Sequence, residues 1–379
     1  MTSAERLLAA YRGEAVDRVP VWLREGFPPF GELAPAGDFS RGWQSDKLFR
    51  ELYEELAPRV DWSATWRVLG TNRWLTVPGS AIESEMLEDS GSVRRRKLTV
   101  RTPRGELFAV TEQRRGVDTT WVLKHLVESR EDLARLSSVP WELDSGRASD
   151  SLDTYRRVRA RCGQAVLPRA FISSPMVCVS GCMPLELFLE LSVSDPDWIA
   201  ELCEEVLRRQ MLIYERVFSP ETVTVVIIGG SEQCTPPLMS PGSYDRFVVP
   251  FETRLIEFMH RLNIPVQIHC HGRVRHALRC MMEEGADATD PVEPPPAGDV
   301  TYEQARGIVG ERMTLVGNLE WDVLASAEPA QVREHVRRVL SLGNRRLILS
   351  SSAGPISAIT PRIAANYRAW IEAAEEFGG

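Results

Sequence analysis

The second half of the chain alternates short apolar runs with stretches of helical period. The apolar, β-branched runs stand at Val223 to Ile228, Pro265 to His271, Ala286 to Asp290, Met313 to Gly317 and Arg346 to Ser350. Helical patterns lie between and after them: Tyr244 to Leu262, Val274 to Glu284, Tyr302 to Val309, Pro329 to Leu342, and Pro361 to Phe377, the last opened by Thr360 as N-cap and Pro361 as first helical residue. One helix between successive strands predicts parallel pairing through right-handed crossovers. Val19 to Leu23, Asp61 to Trp66 and Ala165 to Phe171 are earlier strand candidates. Eight strands in all predict an α/β fold, a (β/α)8 TIM barrel built as one domain over residues 1–379.

The stretch Glu85 to Val122 breaks this rhythm. VRRRKLTVRTPRGELFAV reads as two strands joined at Thr102-Pro103-Arg104-Gly105, a type I turn, and predicts an antiparallel β insertion in the N-terminal half that covers part of the barrel. Its basic run Arg94 to Lys97 reads as a solvated hairpin face. The opening MTSAERLLAAYRGE is an amphipathic helix with Ser3 as N-cap, without the apolar segment and cleavage site of a secretory signal.

Within the run Pro265 to His271, parity separates Val266, Ile268 and Cys270 from Gln267, His269 and His271, so both imidazoles share the polar face of a strand. The chain holds only six histidines. Barrel active sites form where strands end and βα loops begin, and Glu293, just past the next strand and held extended by Pro294, comes from the neighbouring unit. Two neutral imidazoles and a carboxylate are a three-ligand set for zinc or another divalent ion. Hydrogen-bonded polar residues inside a barrel are the alternative reading. Around the same mouth, Glu232 is a candidate general acid or base and Asn318 and Glu320 are expected to face inward. Arg24 and Arg169 are candidate grips for an anionic substrate, with a helix-facing ion pair the alternative and, for Arg169, the expected one. Cys234 reads as a loop thiol, with a role as substitute ligand the alternative.

A formal net charge of -8 argues against a phosphate-tracking nucleic-acid binder and favours a small-molecule substrate. Seven cysteines, an odd number without framework spacing, read as reduced thiols. No apolar run reaches the ~18 residues of a membrane span, so the chain is expected to be cytoplasmic and off the membrane. A homodimer is the expected assembly.

The segments ERLLAAYRGEAVDRVPVW, SEQCTPPLMSP, IHCHG, GADATDPVE, LVGNLE and ITPRIAANYRAWIEAA together resemble the uroporphyrinogen decarboxylase superfamily, which includes methylcobamide:thiol methyltransferases and is related to cobalamin-independent methionine synthase. The resemblance implies a (β/α)8 barrel with its substrate in the mouth. In the methyltransferase branch it implies zinc held by His-x-Cys, an acidic residue about one βα unit on, and a final Cys. By that match His269 is the first ligand, His271 stands where Cys would be, and Glu293 is the acidic ligand. LSSSAGPI, Leu349 to Ile356, lacks the final Cys, leaving Ser351 or Ser352 nearest the position. The Arg-rich motif of the decarboxylase branch is reduced to Arg24 before Glu25-Gly26-Phe27.

Imidazole in place of thiolate makes a stronger Lewis acid toward oxygen ligands. The resemblance implies three functions: metal-dependent methyl transfer with a corrinoid or folate donor and a corrinoid protein as partner, decarboxylation of a tetrapyrrole or other carboxylate, or non-catalytic corrinoid or porphyrin binding. An amidohydrolase would place His-x-His on its first strand, whereas here His276 and His335 lie in helical patterns and the pair comes late.

Overall fold

The computed structural model describes residues 1–69 and 81–379. Its strands run β1 (Ser63–Arg67), β2 (Ile82–Asp89), β3 (Val93–Thr102), β4 (Gly105–Arg114), β5 (Trp121–Lys124), β6 (Leu167–Ser173), β7 (Val225–Gly229), β8 (Val266–Cys270), β9 (Ala288–Pro291), β10 (Thr314–Leu319) and β11 (Leu347–Ser351). Among the described residues, seven of these form a parallel sheet in the order β1-β6-β7-β8-β9-β10-β11, and β2 to β5 form a separate antiparallel sheet.

The parallel sheet curls. Val21 bridges Leu349 of β11 and Trp22 bridges Asp61 just ahead of β1, so a single short segment touches both edges of the sheet. The expected strand Val19 to Leu23 is thus reduced to two bridges. Pro20 has no N–H to donate, and its carbonyl alone accepts from Leu349 N at 2.9 Å, while Trp22 N donates to Leu349 O at 2.9 Å.

Inward side chains of one parity make an apolar floor: Leu167, Val225, Ala288, Val316 and Ile348 pack with Leu7, Ala10 and Tyr11 of the helix Ser3–Arg12. That helix plugs the N-terminal ends of the strands, and each large apolar side chain it buries contributes roughly 1.5–3 kcal/mol. Its N-cap is Thr2 rather than Ser3, in a reciprocal capping box with Glu5. The expected helix Tyr244 to Leu262 is two helices, Pro241–Phe247 and Val249–Arg261. Pro250 stands in the first turn of the second, where its missing N–H costs nothing but a continuous helix through Val248 would lose a bond.

The antiparallel insertion is larger than expected, with four strands in place of two. Thr102 and Gly105 pair across a two-residue loop, and Gly105 takes a φ of 107°, open to glycine. The basic run is paired along the sheet surface: Arg94 with Asp89 at 2.8 Å, Arg95 with Glu88 and Glu112, each at 2.9 Å. After β4 the chain reaches the rim of the main sheet, where Asp118 N donates to Ile356 O at 2.8 Å just past β11. No helix among the described residues is long and apolar enough to cross a membrane. All seven cysteines are free and buried.

Candidate active site

The histidine pair ends β8. His269 is a register partner of Asp290 on β9, and its Nδ1 lies 2.9 Å from Asp290 Oδ2. His271 Nδ1 lies 2.8 Å from Glu293 Oε1, and the other oxygen of Glu293 accepts from Gly272 N at 2.7 Å. Each ring therefore has its own carboxylate on Nδ1, which fixes the tautomer with the proton there and leaves Nε2 as the lone-pair nitrogen. The rings meet edge to face, 4.7 Å between centroids at 90°.

Behind the pair lies a buried polar layer, directly above the apolar floor. Asp290, 1% exposed, is held by Arg24 at 2.6 Å, by His269 and by Gln267 Nε2. Burial opposes its charge, yet His269 and Arg24 keep its carboxyl far below the ordinary range. Gln267 is oriented from the other side, since Tyr11 Oη and Arg169 (3.4 Å) both donate to its Oε1. Arg24 also donates to Ser351 O at 3.2 Å and sits 3.5 Å from His269 Nδ1. Arg169 is not in a helix-facing ion pair: its guanidinium lies 3.8 Å from the ring centre of Trp22, with Arg24 at 5.3 Å from the same ring. Strand parity explains this, because Arg169 is two residues from the inward Leu167. Trp22, Gln267, Tyr11 and Asp290 were not singled out from sequence. The available signal was Gln267 sharing parity with the histidines, but which β9 residue faces them depends on register.

The remaining candidates divide. Glu232 and Arg24 both act electrostatically on His271, so these three share one neighbourhood; Glu232 Oε2 is buried without a hydrogen-bond partner. Glu320 is there too: its Oε2 accepts from Ser352 Oγ at 3.2 Å and its Oε1 is buried and unpartnered. Burial, and then the nearby charge of Glu293, push its carboxyl up to about 7. Asn318 turns elsewhere. Its Nδ2 donates to Val292 O at 3.2 Å and its Oδ1 meets His335 Nε2 at 3.2 Å, on the helix Pro329–Leu340. The strand alternation breaks at Gly317, whose φ is 155° and where the Pro291 carbonyl oxygen occupies the place of a Cβ. Cys234 is fully buried in the main core, its thiol pushed up to about 12 by burial and the charge of Glu252. Phe171, 43% exposed, lies over Gly229 at the ends of β6 and β7 and offers an apolar face.

A model of the uroporphyrinogen decarboxylase family (URO-D) matches residues 115–377. The chain belongs to the uroporphyrinogen decarboxylase family. Among relatives, the uroporphyrinogen decarboxylase of Geobacter sp. (strain M21) is 28% identical over 191 residues, 49% of this chain and 52% of that protein. The match thus spans about half the length of that decarboxylase. The methylcobamide:CoM methyltransferase MtbA of Methanosarcina mazei is 24% identical over 267 residues, 68% of this chain and 71% of that one. The solved structure of a methyltransferase from Methanosarcina mazei superposes with a TM-score of 0.62 at 18% identity, covering 100% of this chain and 99% of the other. This uroporphyrinogen decarboxylase family member shares that fold, with its carboxylate-bound histidines at the strand ends.

Against the divalent ion implied for the methyltransferase branch, the donors fit in part. Carboxylates on the Nδ1 atoms of two neighbouring imidazoles are the outer-shell arrangement of ligating histidines. The third expected ligand differs: both oxygens of Glu293 are engaged, by His271 and by Gly272 N. No choice of one ligand atom from each of His269, His271 and Glu293 brings all three within 4.8 Å of one another.

Proposed function

We propose that this protein is a methyl-transferring enzyme of the family, with the bridges at Val21 and Trp22 closing its seven strands into an eight-stranded barrel and the transfer taking place in the mouth. The observation that carries the reading is the pair of His–carboxylate contacts, His269 with Asp290 and His271 with Glu293, side by side at the end of β8. His269 and His271 would hold a divalent ion, zinc by preference, through Nε2, with Glu293 released from His271 as the further ligand. When bound, such an ion lowers the pKa of an acceptor thiol or hydroxyl.

The chain's own residues do the rest. Asp290 keeps the His269 imidazole in one tautomer and orientation, and Glu293 does the same for His271 until it is released. Arg24, paired to the buried Asp290, and Arg169, stacked beside it on Trp22, hold an anionic group of the substrate. Phe171 gives an apolar wall on which a planar donor can rest, and a corrinoid or folate suits it. A free corrinoid or a corrinoid protein is the expected donor partner, in a cytoplasmic homodimer.

Decarboxylation is the second reading, favoured by one observation. Glu320, with its carboxyl pushed up to about 7, is a proton donor for a carbanion beside a carboxylate grip formed by Arg24. One experiment separates the two. Zinc-supplemented protein is incubated with methylcobalamin and a thiol, and separately with uroporphyrinogen, following the corrinoid spectrum and CO2 release. Demethylation of the corrinoid without CO2 supports methyl transfer; CO2 release with an unchanged corrinoid overturns it.

A further inference from the structure

Outside the mouth, the helices Pro241–Phe247 and Arg275–Glu283 bring Asp245, His276 and Cys280 together. Among the described residues these three form the group of His, Cys, Asp and Glu side chains whose ligand atoms all lie within 4.8 Å of one another. His276 Nε2 is 2.7 Å from Asp245 Oδ1, and Cys280 Sγ is 3.4 Å from each of them. His276, Cys280 and Glu284 recur at four-residue spacing and so share one face of their helix.

The arrangement is wrong for a nucleophile triad. Both Asp245 and Cys280 meet the same ring nitrogen, Nε2, whereas a thiol–imidazole–carboxylate relay uses Nε2 for one and Nδ1 for the other. Three donors converging on one point instead surround a position for an ion. Around tetrahedral zinc, bond lengths of ~2.3 Å to sulfur and ~2.0 Å to nitrogen or oxygen put sulfur ~3.5 Å from either, and nitrogen ~3.3 Å from oxygen. The two sulfur edges match already. The third must open by roughly half an ångström, and Asp245, with a side chain 53% exposed, has room to move.

A second observation points the same way. Glu284 is 7% exposed, and neither of its carboxylate oxygens has a hydrogen-bond partner. Burial, and then the nearby charges of Glu252 and Asp245, push its carboxyl up to about 9. A buried acid group without a partner is costly, and a cation at the neighbouring site, which favours its ionised form, offsets that cost.

We propose that Asp245, His276 and Cys280 form a second metal site that takes a zinc ion, with water as fourth ligand and the Glu284 carboxyl buried behind it. On binding, the Cys280 thiol gives up its proton to solvent, the Asp245–His276 hydrogen bond breaks as the His276 Nε2 proton is exchanged through solvent for one on Nδ1, and S–Zn, N–Zn and O–Zn bonds form. The ion ties the helix that follows β8 to the helix that follows the β7 loop.

The site is independent of the mouth, and its thiolate makes it separately visible. Cobalt(II) titrated into metal-free protein should raise a saturable thiolate-to-cobalt charge-transfer band that zinc displaces. Cys280→Ser and His276→Ala should each abolish the band. Asp245→Ala, on the exposed side, should weaken cobalt binding in protein that remains folded by circular dichroism, and His271→Ala should leave the band unchanged. Zinc should raise the Tm of a His269→Ala/His271→Ala variant, and lose that effect once Cys280→Ser is added. Absence of the band in the wild type, or its persistence in Cys280→Ser, overturns the proposal whatever the mouth binds.

Discussion

His271 and Glu293 meet through Nδ1 and Oε1 at 2.8 Å, in a contact where each partner shifts the other's titration. Burial works against the imidazolium, but Glu293 wins and raises the His271 pKa. Burial likewise works against the carboxylate, but His271 and the Gly272 N–H win and lower that of Glu293. A raised histidine stabilises below its ordinary 6.5 and loses this as pH climbs through its folded value; a lowered glutamate stabilises above its ordinary 4.5 and loses this as pH falls. The pair should therefore contribute most between those two values. Glu293→Gln should lower the His271 pKa measured by NMR. It should also cost about 0.5–1 kcal/mol near pH 5.5, a figure discounted for solvent because the His271 side chain is 38% exposed. An unmoved His271 pKa would show that the contact carries no charge.

Glu320 runs in the opposite direction. Its carboxyl is raised from 4.5 to about 7, by burial first, so the folded state loses stability as pH rises from the lower value to the upper. Glu320→Gln should be more stable than the wild type at pH 8, on the order of 1 kcal/mol, and gain little at pH 4. Thermal unfolding at both pH values checks this, and an equal Tm difference at both would contradict it.

Asp290 is the hinge of the buried layer. Asp290→Asn should destabilise by about 3–5 kcal/mol, since it strands the buried Arg24 guanidinium beside a neutral amide. Adding Arg24→Met should recover much of that loss, which urea denaturation of the single and double variants would measure. A double variant no better than the single one would mean that Asp290 acts through His269 and Gln267 instead.

Much of the frame was legible in sequence because periodicity is local. The runs at Pro265 to His271 and Arg346 to Ser350 lie within a residue or two of β8 and β11, and Tyr302 to Val309 and Pro361 to Phe377 match their helices. What escaped depends on pairing across strands. That Asp290, and not Glu293, meets His269 follows from the β8–β9 register, which no pattern within either strand encodes. Asn318 was expected in the mouth from its position alone; it instead meets Val292 O and His335, partners that no pattern within β10 encodes. Arg169 shows the converse, since strict alternation from Leu167 already aimed it inward.

Zinc stoichiometry of the mouth is the most direct test, measured by calorimetric titration of metal-free protein carrying Cys280→Ser, so that the outer helices contribute nothing. One equivalent bound in that background, and none when His269→Ala or His271→Ala is added, is the expected result. No binding, or binding that survives loss of both histidines, would contradict a metal held by the carboxylate-oriented pair and leave His269 and His271 as proton-handling or substrate-binding groups.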